Sequence, residues 1–266
     1  MSNALTIIGL GYVGLPLAQE ACRQGFEVTG LDLSSPVVDG LNGGHSHVDD
    51  LSDADVADMQ AVGFRATADA SCIADADTVV ICVPTPLSDD GTPDLAAVIG
   101  ATRSTAQHLT AGTLVVLEST TYPGTTDDTV RPILEEASGL VAGRDFALAY
   151  SPERIDPGNP TWTLRNTPKV VGGLTEDCTE RAMAFYGRVV ETVVPTSGMR
   201  EAELAKLLEN TYRHVNIALM NEMAVFCHEL GIDLWASIDA AKTKPFGFQA
   251  FYPGPGVGGH CIPIDP

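Results

Sequence analysis

The sequence sets a cysteine in the most glycine-rich loop of the chain. Four glycines surround Cys261 in GPGVGGHCIPIDP, and glycine lets a backbone adopt positive φ or pass close to a ligand. The thiolate form of a cysteine is a nucleophile. The loop therefore predicts a chemical site around Cys261 rather than the dispensable segment with which most chains finish.

A glycine pattern near the N-terminus predicts a dinucleotide-binding turn. IIGLGYVGLP spaces three glycines as GxGxxG between a strand and a helix. In that pattern the first glycine makes the turn, the second admits the pyrophosphate and the third lets helix and strand pack. Asp32 closes the next strand, where an acid binds ribose hydroxyls, repels a 2′-phosphate and so favours NAD over NADP. The predicted cofactor residues are Gly9, Gly11, Tyr12, Val13, Gly14 and Asp32. The alternatives are a purely structural turn and a solvated acid at a strand end.

Three further stretches combine polar side chains with predicted strand or helix ends. ESTTYPGTT and SPERIDPG each follow a strand, and doubly wound sheets bind ligands at the carboxyl ends of their strands. EAELAKLLEN puts Lys206 and Asn210 at i and i+4 on one helical face. Thr85, in CVPTP after another strand, either contacts the cofactor or only shapes its turn.

The elements that position these residues alternate between strands and helices. Seven apolar runs predict strands: ALTIIGL, FEVTGLD, TVVICVP, TLVVLES, FALAYSPE, PKVVGG and ETVVPT. Helices are predicted around 16–24 and 95–108, and a long acidic stretch after FEVTGLD is left unassigned. Runs rich in Val, Ile and Leu that alternate with helices indicate βαβ units and a parallel sheet covered on both faces. After Pro195 the pattern changes, because 199–230 contains no proline or glycine and carries one apolar stripe at intervals of three or four. Such a helix is about 48 Å long. It lies either between domains or subunits, or in the core of one subunit.

Composition restricts the classes of partner. The 35 acidic residues exceed the 15 basic ones, for a net charge of −20, which argues against nucleic acid and anionic membrane surfaces. No apolar run approaches the ~20 residues of a membrane span, and no signal peptide is visible. The six cysteines form no CxxC pair and no zinc spacing, so we expect free thiols, no metal and a cytoplasmic protein.

Together these motifs resemble the UDP-glucose/GDP-mannose dehydrogenase family from Leu5 to Pro266. The resemblance implies a doubly wound, mainly parallel Rossmann-like sheet in an α/β NAD-binding domain, followed by a small all-α domain with a long dimerisation helix. We expect these at 1–196 and 197–266, with a homodimer formed through 199–230. The family's further UDP-binding domain is expected to be absent, which would leave this chain inactive alone.

The family oxidises the C6 alcohol of a UDP-sugar to a carboxylate with two NAD⁺ and a catalytic cysteine. By resemblance, the Cys261 thiolate forms a thiohemiacetal that is oxidised to a thioester, while Lys206 and Asn210 stabilise oxyanions. Glu153 is the expected base for thioester hydrolysis, a role that a raised pKa would suit, unless it merely pairs with Arg154. The resemblance assigns a water to Thr120 and Asp265, cofactor contacts to Thr85 and Thr120, and substrate contacts to Glu153, Arg154, Lys206, Asn210, Gly258 and Gly259. His260 is expected to form loop hydrogen bonds rather than to catalyse.

One departure from the family pattern narrows the substrate. The UDP-glucose branch commonly carries a second glutamate four residues after the position of Glu153, where this sequence has Pro157. SPERIDPG followed by PKVVGG resembles instead the branch that acts on UDP-N-acetylhexosamines, with Arg154 accommodating the 2-acetamido sugar. The alternatives are a UDP-glucose 6-dehydrogenase, a two-electron β-hydroxyacid dehydrogenase, and a non-catalytic NAD-binding or dimerisation module.

Overall fold

The computed structural model describes residues 3–88, 90–155, 159 and 161–258, and the chain divides into two compact units, Met1–Leu204 and Ala205–Pro266. The first unit is built on an eight-stranded sheet. Its strands are β1 (Ala4–Ile8), β2 (Glu27–Leu31), β3 (Arg65–Thr67), β4 (Thr78–Ile81), β5 (Leu114–Leu117), β6 (Ala147–Tyr150), β7 (Lys169–Gly173) and β8 (Val193–Pro195). The predicted boundary at 196 stays a prediction.

The sheet has the doubly wound order β3-β2-β1-β4-β5-β6-β7-β8. Chain order reverses between β1 and β4, so the switch point at which such sheets bind ligands lies at the carboxyl ends of these two strands. Strands β4, β5, β6 and β7 are buried along their whole length, as continuous apolar runs require in a sheet covered on both faces. The predicted fold class, a mainly parallel α/β sheet followed by a long helix, is confirmed.

The sheet departs from a parallel arrangement at β7, which runs antiparallel to β6. A parallel neighbour needs a crossover connection, usually a helix. The connection between β6 and β7 carries no helix in the part of it that the structure describes, and the chain turns back beside β6. Strand β8 then pairs parallel to β7.

Six helices flank the sheet: α1 (Gly14–Arg23), α2 (Ser35–Asn42), α3 (Asp53–Ala61), α4 (Ala96–His108), α5 (Arg131–Ser138) and α6 (Glu176–Val189). A 3₁₀ segment spans Ala70–Asp75, and a π-helical turn at Thr126–Val130 leads into α5. Sequence patterns predicted α1 and α4, but α2, α3 and β3 lie in a segment that they left as an acidic stretch. One apolar cluster, which includes Ile7, Leu15, Val80 and Tyr186, joins the helices to the sheet.

Helix α7 (Met199–Leu230) begins in the first unit, and its residues from Ala205 belong to the second, with α8 (Leu234–Ala241). Its ends match the predicted 199–230. A small core forms where Cys227 packs against Leu234 and Ile238. The predicted apolar stripe of α7 is largely exposed in the single chain, with Leu208 65% exposed. This exposure argues against a helix buried in the core of one subunit.

In the part of the chain that the structure describes, no helix combines the length and apolar character needed to cross a bilayer. The five cysteines of that part are all free thiols.

Candidate functional site

The first glycine of the N-terminal turn lies against the neighbouring strand. Gly9 has φ +90°, and its N–H donates to the Leu31 carbonyl oxygen at 2.8 Å. A Cβ on Gly9 would lie 2.8 Å from the Cys82 carbonyl oxygen. Both the left-handed backbone and the close approach to the chain after β4 require glycine here.

The other two glycines of the turn differ sharply in their surroundings. A Cβ on Gly14 would overlap the Gly9 carbonyl oxygen, so this position permits the close packing of α1 on β1. A Cβ on Gly11 would meet no atom of the described residues within 4 Å. Gly11 is therefore not required by packing within the chain, and the space beside it is where a diphosphate could approach the backbone.

The start of α1 is available to an anion. No side chain in the described residues caps this helix at Val13, whose own side chain packs against the core, whereas Tyr12 is exposed. Uncapped N-terminal N–H groups and the helix dipole favour negative charge. The open Gly11 and the uncapped helix together fit a dinucleotide phosphate group.

Asp32 follows β2 and holds two backbone segments beside this turn. One carboxylate oxygen accepts the Leu10 N–H at 2.9 Å, and the other accepts the Ser34 N–H at 2.9 Å. An ionised carboxylate has about four acceptor positions. About two therefore remain for ribose hydroxyls, so a structural role and the predicted cofactor role are compatible.

The loops after β4 and β5 are joined at the same edge of the sheet. The Thr85 hydroxyl donates to the Thr120 carbonyl oxygen at 2.7 Å, and the Ser119 hydroxyl donates to the Val83 carbonyl oxygen at 2.7 Å. Thr85 therefore shapes the turn, and its contact with a cofactor stays a prediction. The structure thus joins Thr85 to Thr120, and it places Gly9 against Cys82, three residues before Thr85.

Beyond these loops lies a buried cluster of charged groups. The Lys169 ammonium at the start of β7 lies 2.7 Å from Glu118 Oε1 and 3.1 Å from Glu153 Oε2. The Tyr186 hydroxyl donates to Glu118 Oε1 at 2.6 Å, and the Cys82 thiol donates to Glu118 Oε2 at 3.6 Å. Two carboxylates therefore share one ammonium group in the interior of the first unit.

The surroundings of Glu153 contradict the raised pKa expected of it. Burial favours the neutral acid, but the Lys169 charge and the N–H groups of Ile155 and Arg154 stabilise the carboxylate, so that the pKa of Glu153 is lowered. For Glu118 burial prevails over Lys169, and its pKa is raised. The surroundings therefore favour ionisation of Glu153 over that of Glu118.

Arg154 lies at a cavity of about 250 Å³, which is also lined by Asn159, Trp162, Thr167 and Pro168. Its guanidinium donates to the Pro168 carbonyl oxygen at 2.6 Å, while its backbone N–H donates to Glu153 Oε1 at 2.7 Å. Arg154 therefore combines a structural contact with access to a cavity.

In the second unit, Lys206 and Asn210 lie one turn apart on α7, and Asn210 is buried. Gly258 is exposed, with φ +69°. The remaining predicted residues, Gly259, His260, Cys261 and Asp265, lie outside the described residues.

Sequence reasoning missed a residue that holds the start of the glycine-rich loop. The side-chain amide of Asn221 on α7 donates to the Gly256 carbonyl oxygen at 2.8 Å, and its oxygen accepts the Gly254 N–H at 2.9 Å. Asn221 thus holds the loop through both the N–H group and the oxygen of its side-chain amide. Nothing in the local pattern marks it, because its partners lie more than 30 residues later in the chain.

Sequence reasoning also missed the buried acid Glu203. This carboxylate accepts the Gly124 N–H and both the N–H and the hydroxyl of Thr126, at the start of the π-helical turn. Burial raises the pKa of Glu203, although these hydrogen bonds oppose the shift. Glu203 therefore ties the beginning of α7 to the ESTTYPGTT loop within the first unit.

Known proteins resemble the chain along its length. Residues 3–190 match the NAD binding domain of the UDP-glucose/GDP-mannose dehydrogenase family, and residues 200–266 match its central domain. Protein CapL of Staphylococcus aureus is 39% identical over 267 residues, covering 100% of this chain and 62% of the relative. UDP-N-acetyl-D-mannosamine dehydrogenase of Pyrococcus horikoshii is 37% identical over 264 residues, covering 98% and 62%.

A solved structure of UDP-D-ManNAc dehydrogenase from Pyrococcus horikoshii superposes with a TM-score of 0.93 at 36% identity, over 98% of this chain and 62% of that one. The chain thus spans about 62% of the length of these relatives. The matches confirm the resemblance seen in the sequence, and they confirm NAD as the cofactor of the matched domain.

The open space beside Gly11 gives a direct test of the dinucleotide turn. We expect Gly11→Ala to fold like the unsubstituted chain but to bind NAD roughly tenfold or more weakly, because the new methyl group occupies the approach of the diphosphate. Calorimetric titration with NAD measures the affinity, and thermal unfolding measures the fold. Gly14→Ala is the contrasting variant, since its methyl group overlaps the Gly9 carbonyl oxygen and should lower the melting temperature. Unchanged NAD affinity in Gly11→Ala would refute the site.

The Asn221 contacts give a second prediction. Asn221→Ala should release the Gly254 N–H, so that its hydrogen exchange becomes roughly fivefold faster, as the loss of a hydrogen bond worth about 1 kcal/mol predicts. Asn216→Ala is the control, because the Asn216 side-chain amide donates to the Tyr212 carbonyl oxygen one turn earlier on α7 and has no other hydrogen bond among the described residues. Equal exchange at Gly254 in both variants would mean that the Asn221 amide does not hold the loop.

Proposed function

Because the chain belongs to the UDP-glucose/GDP-mannose dehydrogenase family, we propose that it takes part in the NAD-dependent oxidation of the C6 alcohol of a UDP-sugar to the carboxylate. The observation that carries this proposal is the open Gly11 backbone at an uncapped helix start, inside the segment that matches the family's NAD-binding domain. NAD bound there would accept hydride from the sugar carbon in each of two oxidation steps. The remaining chemistry falls to side chains of this chain.

In the proposed mechanism, Cys261 makes the second oxidation possible. The C6 aldehyde left by the first step has no tetrahedral hydride-donating form, so the Cys261 thiolate adds to C6 and forms a C–S bond, giving a thiohemiacetal. Loss of hydride from this carbon leaves a thioester. Water then attacks the thioester carbonyl, the C–S bond breaks, and the thiolate departs from the carboxylate product.

The other proposed residues act on the charges and the water of these steps. Lys206 and Asn210 stabilise each oxyanion, an effect often worth ~3 kcal/mol per donor, and Lys206 raises the thiolate fraction of Cys261. Thr120 and Asp265 hold the water, and Glu153 accepts its proton. The lowered pKa of Glu153 supports this assignment in one respect, because it keeps the carboxylate ionised and able to accept a proton.

We assign the substrate to the UDP-N-acetylhexosamines. Pro157 stands where the UDP-glucose branch commonly has its second glutamate, and Arg154 lines a cavity with Asn159 and Trp162. A curated protein and a solved structure from Pyrococcus horikoshii, each matching almost the whole chain, carry the names UDP-N-acetyl-D-mannosamine dehydrogenase and UDP-D-ManNAc dehydrogenase. In this proposal Arg154 accommodates the 2-acetamido group.

We also propose a homodimer formed through α7. The stripe of Leu208, Val215, Leu219 and Phe226 is at least half exposed, whereas a helix normally buries its apolar face. A second copy of α7 would supply matching apolar surface along much of this helix.

Counting NADH per sugar tests the proposed chemistry. A longer form that also carries the family's UDP-binding domain should form two NADH per UDP-N-acetylhexosamine oxidised, whereas Cys261→Ala in that form should yield no carboxylate product, because no thioester can arise. Product and NADH are measured by mass spectrometry and absorbance. Cys72→Ala, which removes a partly exposed thiol on the 3₁₀ segment, should retain both products.

One NADH per substrate would instead support a two-electron β-hydroxyacid dehydrogenase. Faster turnover of UDP-glucose than of UDP-N-acetylglucosamine and UDP-N-acetylmannosamine would overturn the substrate assignment while leaving the reaction class intact.

The proposed dimer interface is tested by charge. Leu208→Glu combined with Val215→Glu should convert the dimer to a monomer, because carboxylates would have to be buried without partners. Analytical ultracentrifugation measures the mass. Arg213→Gln is the control: it makes the chain more negative at an exposed position on another side of α7, and it should remain dimeric. A monomeric unsubstituted chain, or a dimeric double variant, would contradict the interface.

A further inference from the structure

The side chain of Lys169 is almost completely withdrawn from solvent. Lys169 opens β7, all five residues of which are buried, and its side chain is 3% exposed. An unpaired ammonium in such a place would cost several kcal/mol. Its position therefore needs an explanation in terms of the groups around it.

Those groups form an ordered chain of contacts. Tyr186 donates to the same Glu118 oxygen that pairs with Lys169, at 2.6 Å and 2.7 Å respectively. The Lys169 ammonium then reaches Glu153 Oε2 at 3.1 Å. Glu118 is completely buried, whereas the Glu153 side chain is 12% exposed. Glu153 is thus the end of this chain of contacts nearest the surface.

The Glu153 carboxylate is held at both oxygens. Oε1 accepts the N–H groups of Arg154 and Ile155, each at 2.7 Å, and Oε2 accepts the Lys169 ammonium. Both backbone donors bind Oε1, so they hold one end of the carboxylate. The Lys169 ammonium, on β7, binds Oε2 and thereby restricts rotation of the carboxylate.

We propose that Lys169 is a positioning residue for the reaction: its ammonium fixes the orientation of the Glu153 carboxylate and keeps it charged, while Glu118 holds Lys169 in place. This inference rests on the proposed role of Glu153 as the base that accepts the proton of the attacking water. Lys169 itself touches neither the substrate nor the cofactor in this proposal.

The direction of the expected pH effect follows from the groups that face the two carboxylates. They are Lys169 on β7, Tyr186 on α6, Tyr150 on β6, Cys82 after β4 and Arg154 beside Glu153. Without the Lys169 charge, burial and Glu118 remain to raise the pKa of Glu153. The base is then protonated at higher pH, and the acidic limb of thioester hydrolysis moves to higher pH.

Two substitutions should shift that limb in opposite directions. Lys169→Met removes the positive neighbour and should move the limb to higher pH, whereas Glu118→Gln removes a negative neighbour and should move it to lower pH. Lys169→Arg keeps the charge and should leave the limb near that of the unsubstituted chain. The measurement is the rate of carboxylate release across pH in single turnovers of the longer form that carries the UDP-binding domain, with the first NADH followed separately.

Matched variants separate positioning from simple loss of structure. Tyr186→Phe removes a hydroxyl from the same cluster but leaves the contact between Lys169 and Glu153, so the limb should stay in place. Lys169→Met added to Glu153→Gln should slow hydrolysis no further than Glu153→Gln alone, because Lys169 acts through Glu153. If Lys169→Met does not fold, Glu118→Gln and Lys169→Arg still decide the question through the direction of their shifts.

The outcomes distinguish the two proposals. Glu153→Gln should slow hydrolysis by about 10²–10⁴-fold if Glu153 is the base, and unchanged hydrolysis would remove Glu153 from the mechanism and this inference with it. A slow Glu153→Gln together with unshifted limbs in Lys169→Met and Glu118→Gln would overturn the role of Lys169 alone.

Discussion

A single buried ammonium group connects the parts of the first unit that the chain builds separately. Lys169 on β7 contacts Glu118 after β5 and Glu153 after β6. Tyr186 from α6 donates a hydrogen bond to the Glu118 carboxylate. Desolvated charges are tolerated only when partners surround them. The antiparallel β7 must therefore lie where it does for Glu118 to be matched, and the loop after β6 must return to the sheet for Glu153 to be matched. The register of this half of the sheet and the placement of Glu153 rest on the same contacts.

In the other half of the sheet, close packing depends on glycines, which have no side chain. Gly9 and Gly14 allow backbone to lie against backbone at the switch point, and neither position has room for a methyl group. Gly11 has that room and remains glycine. Packing explains two of the three glycines, whereas the third leaves open space in which a ligand fits. This division makes the turn stronger evidence for a dinucleotide site than its spacing alone.

The sequence was most informative where one residue type repeats. Apolar runs predicted seven of the eight strands, and the absence of proline and glycine predicted both ends of α7. Helix α3 was missed because it buries only Val56 and Met59, although Ser52 and Asp55 form a capping box that could have indicated its start. The buried cluster could not be predicted, because Glu118 and Lys169 are far apart in sequence and meet only across the folded sheet. Their positions at the borders of buried strand patterns were the available signal.

Helix α7 carries predicted site residues on one side and the proposed dimer interface on the other. By the helical repeat, Glu203, Lys206, Asn210 and Asn221 fall on one side, opposite the stripe that contains Leu208 and Val215. An ordinary surface helix buries its apolar side and exposes its polar side. Here Glu203 and Asn210 are buried while the apolar stripe is exposed. This arrangement has two explanations. Hydrogen bonds hold polar side chains such as Glu203 and Asn221 on one side of the helix, and in the proposed dimer a second copy of the chain covers the apolar side. An amphipathic pattern read alone would assign these two sides the wrong way round, because the periodicity reports a contrast between faces and not which face is buried.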